Sequence, residues 1–279
     1  MPSVDLDHFC AEHRSEVDDL CRKFADYEPL PGFDRAHLLS WVAQFSGQHR
    51  DLALRFARCI AYYSTNRLNR LMRALYQAIQ LQSQRENATI ESTFFVPFGR
   101  TGESGEDIAR RFRNVNKLHR HQDQFVKAID LPERVFRTRD PVVFFLDDFV
   151  GTGRQVVDSW LLNPASGLSG IPMYLAVVAA FGEGGSKIEA ETPLRVICVH
   201  SLGPKYQMME SACESLSSGE KGTMKHYCEK AGNHPLGFGD RGLMVSFAYG
   251  TPNNSVSVIR GSEKQSPWKG LLPIWEDLG

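Results

Sequence analysis

The 279-residue sequence lacks several features that would define its compartment or a metal site. None of its six cysteines forms a CxxC pair, so a zinc knuckle is not expected. The first ten residues, MPSVDLDHFC, contain neither a basic nor an apolar stretch of signal-peptide type. The longest apolar run, at 173–181, is too short to span a bilayer. We therefore expect a cytoplasmic protein, without a membrane partner, whose cysteines are reduced and packed as small apolar side chains.

Three common ligand-binding motifs are absent as well. A dinucleotide-binding GxGxxG would need glycine at the position of Val156, after Gly151 and Gly153. The sequence contains neither a GxxxxGK[ST] phosphate loop nor a GxSxG nucleophile motif. The net charge of -1 does not indicate a polyanion partner for the chain as a whole, which leaves only local basic patches to consider.

The first third of the chain has the apolar spacing of amphipathic helices. Asp34 is an expected N-cap for a helix over 35–45, and a long amphipathic run follows over 50–82. This run forms a basic stretch that is rich in arginine, at Arg50, Arg55, Arg58, Arg67, Arg70 and Arg73. We predict an N-terminal all-helical extension over 1–88 and a second domain over 89–279.

After residue 88, short apolar runs alternate with loops and helical segments. The runs cover 93–98, 142–146, 173–181, 194–200 and 243–249. Several are continuously apolar, as expected for strands that are covered on both faces. This order predicts an α/β fold with a mostly parallel, twisted sheet flanked by helices.

The strongest chemical signal is VVFFLDDFVGTGRQ at 142–155. Its strand leads into Asp147 and Asp148, and ligands of α/β sheets bind at the carboxyl ends of strands. Gly151, Thr152 and Gly153 then form a short loop before a helical segment, which suits a phosphate group. The two acids would repel a phosphate, so we assign them to the hydroxyls of a sugar diol, and indirectly to a hydrated Mg²⁺ ion.

This stretch resembles the signature of type I phosphoribosyltransferases, which combines apolar residues, two acids, two variable residues and a Thr-Gly loop. The resemblance implies that Asp147 and Asp148 bind the ribose hydroxyls of phosphoribosyl pyrophosphate. It also implies that the 5-phosphate is bound by Gly151, Thr152, Gly153, Arg154 and Gln155. Two positions depart from the signature: Gln155 replaces a hydroxyl residue, and Arg154 stands where a small residue is common.

A second loop, GRTGESG at 99–105, precedes the acids in the order found in type I enzymes. The resemblance implies that it is the pyrophosphate loop, formed by Gly99, Arg100, Thr101, Gly102, Ser104 and Gly105. Arg100 would then join Asp147 and Asp148 as a catalytic residue, because it stabilises the departing charge.

The C-terminal stretch LMVSFAYGTPNNSVSVIRG, with PWKGLLPIW after it, is similar to the tail of one particular group. These are the phosphoribosyltransferase-like proteins of bacterial conflict and defence gene neighbourhoods, which also carry a helical N-terminal region. The resemblance covers about residues 90–275. It implies that Asn253 and Asn254 line the pocket for a base.

Two functions follow from the resemblance. In the first, the protein is a phosphoribosyltransferase that binds phosphoribosyl pyrophosphate or a nucleotide-type ligand with Mg²⁺, and transfers or cleaves at the anomeric carbon with diphosphate release. In the second, it is a non-transferase nucleotide-sensing or effector subunit of a bacterial antiphage defence system. Its helical extension would then bind a partner protein or nucleic acid through the basic stretch. Both a homodimer and a hetero-complex are compatible with the sequence.

Overall fold

The computed structural model describes residues 4–30, 32–99, 104–261 and 267–273. The chain divides into two compact units, one formed by Met1–Asn66 with Gly203–Gly279, and the other by Arg67–Leu202. We call them the terminal unit and the central unit. This division by compactness differs from the expected domains 1–88 and 89–279, which stay a prediction. Within the described residues, no helix combines the length and apolarity that a membrane crossing requires.

The described residues form eleven α-helices and six β-strands. The helices are Val4–Glu12 (α1), Arg14–Phe24 (α2), Arg35–Val42 (α3), Arg50–Cys59 (α4), Thr65–Arg85 (α5), Ser104–Val115 (α6), Leu131–Phe136 (α7), Arg154–Trp160 (α8), Gly182–Glu191 (α9), Ser218–Ala231 (α10) and Ser257–Arg260 (α11). The strands are Ala61–Tyr63 (β1), Thr93–Pro97 (β2), Val142–Val150 (β3), Met173–Phe181 (β4), Arg195–Leu202 (β5) and Val245–Phe247 (β6).

The central unit contains a four-stranded parallel sheet in the order β2-β3-β4-β5. All nine residues of β4 are buried, as expected for an inner strand with both faces covered. Phe145 and Leu175 pack into one apolar cluster with Trp160 of α8 and Ile188 of α9. On the neighbouring strand positions, Phe144 stacks on Tyr174 with ring centroids 5.1 Å apart. The predicted α/β fold with a mostly parallel, helix-flanked sheet is confirmed.

The terminal unit contains the helices that were expected near the N-terminus, and also a small sheet. Asp34 caps α3, because its side chain accepts a hydrogen bond from the His37 N–H at 2.8 Å. The expected helix over 50–82 is interrupted by β1, which pairs in parallel with β6. Tyr63 and Phe247 stack across this pair with centroids 4.7 Å apart. All three residues of β1 are buried, so burial beside β6 outweighs the helical pattern there.

Helix α5 ends near residue 87, where the sequence changes from helical apolar spacing to short apolar runs. Asn87 adopts a left-handed backbone conformation with φ 57°. The Ala88 N–H donates to the Ser83 carbonyl at 2.9 Å, and the Asn87 N–H donates to the Gln84 carbonyl at 3.1 Å. These two bonds form a Schellman C-cap, which ends the helix and turns the chain toward β2.

Candidate ligand site at the carboxyl end of the sheet

The register of β2 against β3 brings two of the predicted elements to one end of the central sheet. Pro97 lies opposite Leu146, and the Phe98 N–H donates to the Leu146 carbonyl at 2.9 Å. The chain segment that begins at Gly99 therefore starts beside the residue that precedes Asp147. This end of the sheet is where parallel α/β folds bind their ligands.

Asp147 and Asp148 lie inside β3 and not after it, because the strand continues to Val150. Asp147 is in register with Val177 of β4. Both acidic side chains are half-buried, and the Asp148 N–H donates to Asp147 Oδ1 at 2.9 Å. An ionised carboxylate offers about four acceptor positions, so an oxygen that accepts from a backbone N–H can also accept from a ligand hydroxyl. The pair therefore has the chemistry to bind a vicinal diol.

The loop after β3 turns through Gly153, which adopts a left-handed conformation with φ 73°. A Cβ atom at this position would lie 2.5 Å from the Gly184 carbonyl oxygen. The loop backbone therefore approaches α9 more closely than any side chain would allow. The Arg154 N–H, at the start of α8, is 3.4 Å from the Thr152 hydroxyl, which is a weak contact.

Gly184 completes this close approach from the other side, and the sequence analysis did not identify it. A Cβ atom on Gly184 would lie 2.2 Å from the Gly151 carbonyl oxygen and 2.9 Å from a Val150 methyl group. The available signal was GEGG at 182–185, which directly follows a strand and so lies at the same end of the sheet. Main-chain contacts between the 151–153 loop and the first turn of α9 thus fix the shape of the candidate phosphate loop.

The last two residues of the predicted phosphate loop each have a hydrogen bond within α8. Arg154 is exposed, and its Nε donates to Asp158 Oδ2 of the same helix at 3.3 Å. Gln155 is exposed, and its carbonyl accepts a hydrogen bond from the Ser159 hydroxyl at 2.7 Å. Their predicted contacts with a 5-phosphate stay a prediction.

Only the two ends of the predicted pyrophosphate loop lie in the described part of the chain. Gly99 has φ 106°, and a Cβ atom on Gly105 would lie 2.0 Å from the Phe98 carbonyl oxygen. Gly105 therefore packs α6 against the end of β2. Ser104 is the first residue of α6, while its side chain and the residues Arg100, Thr101 and Gly102 lie outside the described residues.

Asn253 and Asn254 belong to the terminal unit, where both have local hydrogen bonds. The Asn253 carbonyl accepts from the Phe238 N–H at 2.8 Å. Asn254 is buried, and its amide Nδ2 donates to the Phe238 carbonyl at 2.8 Å. These bonds stabilise the turn around Phe238, and a role in binding a base stays a prediction.

The residues available for a metal ion are few. Across the described ranges, no three His, Cys, Asp or Glu side chains form a group that could hold a metal ion. Asp147 and Asp148 are two carboxylates, which are the ligand type that Mg²⁺ accepts, and Mg²⁺ commonly completes its six-fold shell with phosphate oxygens and water. The acid pair therefore fits a Mg²⁺ ion that arrives with a diphosphate, and does not fit a cage built from protein side chains.

Comparison with known proteins assigns the chain to a family. No curated protein matches the sequence. The family model PRTase-CE matches residues 38–273, which is most of the chain and includes both units. Together with the parallel sheet and the acidic pair at its carboxyl end, this match shows that the chain belongs to the PRTase-CE family of phosphoribosyltransferase-like proteins.

Proposed function

We propose that the protein binds phosphoribosyl pyrophosphate, or a nucleotide-type ligand, at the carboxyl end of the central sheet. The observation that supports this most is the position of Asp147 and Asp148 between two glycine-containing segments. One segment begins at Gly99 beside β3, and the other is the 151–153 loop that packs on Gly184. Phosphoribosyl pyrophosphate has its groups in the same order, because its ribose diol lies between a diphosphate and a 5-phosphate.

In this proposal each segment recognises one part of the ligand. Asp147 and Asp148 accept hydrogen bonds from the ribose hydroxyls. The 5-phosphate lies against the loop Gly151, Thr152 and Gly153, with Arg154 and Gln155 at its edge. The diphosphate lies against the loop that contains Gly99, Arg100, Thr101, Gly102, Ser104 and Gly105. Mg²⁺, when bound with the ligand, would neutralise diphosphate charge and contact the acids through water.

We further propose that the protein transfers or cleaves at the anomeric carbon. The bond from this carbon to the diphosphate oxygen breaks, and its electron pair leaves with the diphosphate. Positive charge develops on the ribose ring, and the lone pair of a nucleobase or of water forms the new bond. A proton on that nucleophile passes to solvent. The protein contributes by positioning both partners and, through Arg100, by stabilising the leaving charge.

Calorimetric titration of the full chain with phosphoribosyl pyrophosphate and Mg²⁺ tests the binding step. We expect saturable heat for the wild type and none for Asp147→Asn/Asp148→Asn. The matched control is Glu133→Gln/Glu191→Gln, which removes two carboxylates of the same unit that are paired with Arg137 and Lys187. The absence of heat and of a melting-temperature shift in the wild type, or unchanged binding by the Asp variant, would overturn the proposal.

A second function is supported by the two departures from the transferase signature. Gln155 supplies no hydroxyl, and Arg154 is paired with Asp158. Both features favour a nucleotide-sensing or effector subunit that binds the ligand without transferring it, as in an antiphage defence system. Measuring diphosphate release with a panel of bases separates the two functions. Binding without any diphosphate release would favour the sensor, and release with one base would favour the transferase.

A further inference from the structure

Helix α5 differs from the other long helices in its charge. It has 21 residues, including Arg67, Arg70, Arg73 and Arg85, and contains no acidic residue. Its exposed positions recur three or four residues apart, which places them along one face. They include Arg70, Arg73, Gln77, Gln80 and Gln84. From Arg70 to Gln84 this face is about 21 Å long and presents arginine and amide groups to solvent, together with the exposed side chain of Leu81.

Arg70 and Arg73 differ from the arginines of the preceding helix in their polar contacts. Neither Arg70 nor Arg73 makes an ion pair or a side-chain hydrogen bond within the described part of the chain. The preceding helix shows the usual alternative, because Arg55 of α4 pairs with Glu220 and Arg58 pairs with Glu16. The arginine-rich stretch of the sequence is therefore divided between two helices, and on α5 the cations available to a partner are those of Arg70 and Arg73.

A third cation belongs to a segment that contacts α5. The Asn116 Nδ2, just after the end of α6, donates to the Met72 carbonyl of α5 at 3.3 Å. The next residue, Lys117, is exposed and makes no ion pair among the described residues. Since Met72 is the neighbour of Arg73, Lys117 and Arg73 lie on adjoining positions of two contacting segments. We call Arg70, Arg73 and Lys117 the basic stripe.

A pocket of about 140 Å³ lies further along α5, between that helix and the start of β2. Its lining includes the side chains Tyr76, Gln80, Gln84, Thr89 and Thr93, together with apolar residues, and none of the lining residues is charged. A cavity of about 150 Å³ in another protein binds benzene, so a pocket of this size has room for a single ring. The Thr93 hydroxyl donates to the Thr89 carbonyl at 2.7 Å, and Tyr76 is hydrogen-bonded to Gln80, so these groups order the lining. The Gln84 amide is then the lining group that can bond to the edge of an unstacked base.

We propose that α5 binds a single-stranded nucleic acid, with phosphates on the basic stripe and one unstacked base in the pocket. Seven residues separate Arg73 from Gln80, which is about 10 Å along the helix, so one short segment reaches both. Glutamine amides suit base edges, and arginine and lysine suit phosphates. An acidic peptide would match the charge of the basic stripe. Its carboxylates would gain nothing from the uncharged pocket beside these cations, whereas a base would. A duplex keeps its bases stacked and cannot fill the pocket.

Fluorescence anisotropy of the full chain with labelled single-stranded oligonucleotides of RNA and DNA tests this proposal. We expect saturable binding at low salt that weakens as salt increases. Arg70→Gln/Arg73→Gln should weaken binding at least tenfold. It should also reduce the slope of log K against log salt by about 1.4, because each phosphate contact to a single strand contributes about 0.7. Gln84→Ala should leave that slope unchanged and reduce discrimination between homopolymers.

The control for charge loss is Arg137→Gln/Lys187→Gln, which removes two cations of the same unit that are paired with Glu133 and Glu191. It should bind as the wild type does. The proposal fails if no oligonucleotide binds at low salt, or if the control weakens binding as much as the Arg70/Arg73 variant. Equal affinity for a blunt duplex would show that no base enters the pocket, and would overturn that part of the proposal. Tighter binding of polyglutamate than of oligonucleotides would point to an acidic protein partner instead. None of these results depends on the ligand site at the carboxyl end of the sheet.

Discussion

The two ends of the central sheet are stabilised by different kinds of contact. At the carboxyl end, glycines bring main chains together, with Gly153 and Gly184 each at a position that a Cβ atom would obstruct. At the amino end, side chains bond to one another. The Tyr174 hydroxyl donates to the Glu86 carboxylate, and Gln82 Nε2 donates to the Tyr174 oxygen at 2.8 Å.

This difference indicates which polar groups can serve a ligand. Tyr174, Gln82 and Glu86 satisfy one another, so their polarity supports the fold. At the carboxyl end, the close contacts at Gly153 and Gly184 are made by main-chain atoms and not by the side chains of Asp147 and Asp148. Substitution of the acids should therefore change binding without unfolding, whereas substitution of a packed glycine should change both.

The largest expected effect comes from adding one methyl group at Gly184. Gly184→Ala would place Cβ 2.2 Å from the Gly151 carbonyl oxygen, so the 151–153 loop must move. We expect a loss of about 3 kcal/mol in the free energy of unfolding, which is the upper part of the usual range for overpacking. Ligand heat in calorimetry should be lost as well, because the displaced loop no longer fits a phosphate.

Gly185→Ala is the matched control, since it makes the same chemical change at the next residue of α9. The nearest atom to its Cβ would be Val196 Cγ1 at 3.8 Å, which is ordinary contact. Alanine is the better helix former by about 1 kcal/mol, so this variant should be as stable as the wild type or more so. Similar urea unfolding curves for the two variants would contradict the role assigned to main-chain packing.

A smaller effect is expected at the opposite end of the sheet. Tyr174→Phe removes the hydroxyl that donates to Glu86 and accepts from Gln82. We expect a loss of about 2 kcal/mol, since the bond is to a charged group and leaves partners unsatisfied. Phosphoribosyl pyrophosphate should bind with unchanged affinity. Tyr206→Phe, in the terminal unit, controls for the loss of a hydroxyl. Weaker ligand binding by Tyr174→Phe would show that the two ends of the sheet are not independent.

The sequence predicts the sheet well where burial alone decides. The run 173–181 was predicted as a strand, and β4 has these bounds, because an inner strand is apolar throughout. The expected strand over 142–146 is four residues too short. Its continuation contains two acids and pairs with β4, where Asp147 lies opposite Val177 and Val150 lies opposite Ala180. Pairing of polar residues with a neighbouring strand is not visible in a hydropathy pattern.

The sequence identified one of the two contacting segments of the candidate site, because only that segment has a local motif. The loop after β3 carries its own motif, so Gly151 and Gly153 could be found in one stretch of sequence. Gly184 acquires its role only from a contact between the loop after β3 and the helix after β4. The pairing of Arg154 with Asp158 could have been found, because acids and bases four residues apart meet on a helix.

The smallest expected effect is a pH dependence of the free energy of unfolding that arises at the amino end of the sheet. Burial, and then the hydrogen bond to Glu86, raise the pKa of Tyr174. The folded protein therefore keeps this proton at a pH where the unfolded chain, with an ordinary value near 10, has released it. The stabilisation is complete below about pH 10 and is lost as the pH rises toward the folded value. One group can contribute at most about 1.4 kcal/mol per pH unit, and we expect less.

Urea unfolding of wild type and Tyr174→Phe between pH 8 and about pH 10.5 measures the pH-dependent contribution of Tyr174 to stability. The pKa values of Tyr27 and Tyr62 are also raised by burial, but both proteins contain them, so their contributions cancel in the difference. The stability difference should be constant up to about pH 10 and then narrow. A difference that stays constant throughout would mean that Tyr174 does not retain its proton. The Glu86 contact could then not be what stabilises the amino end of the sheet.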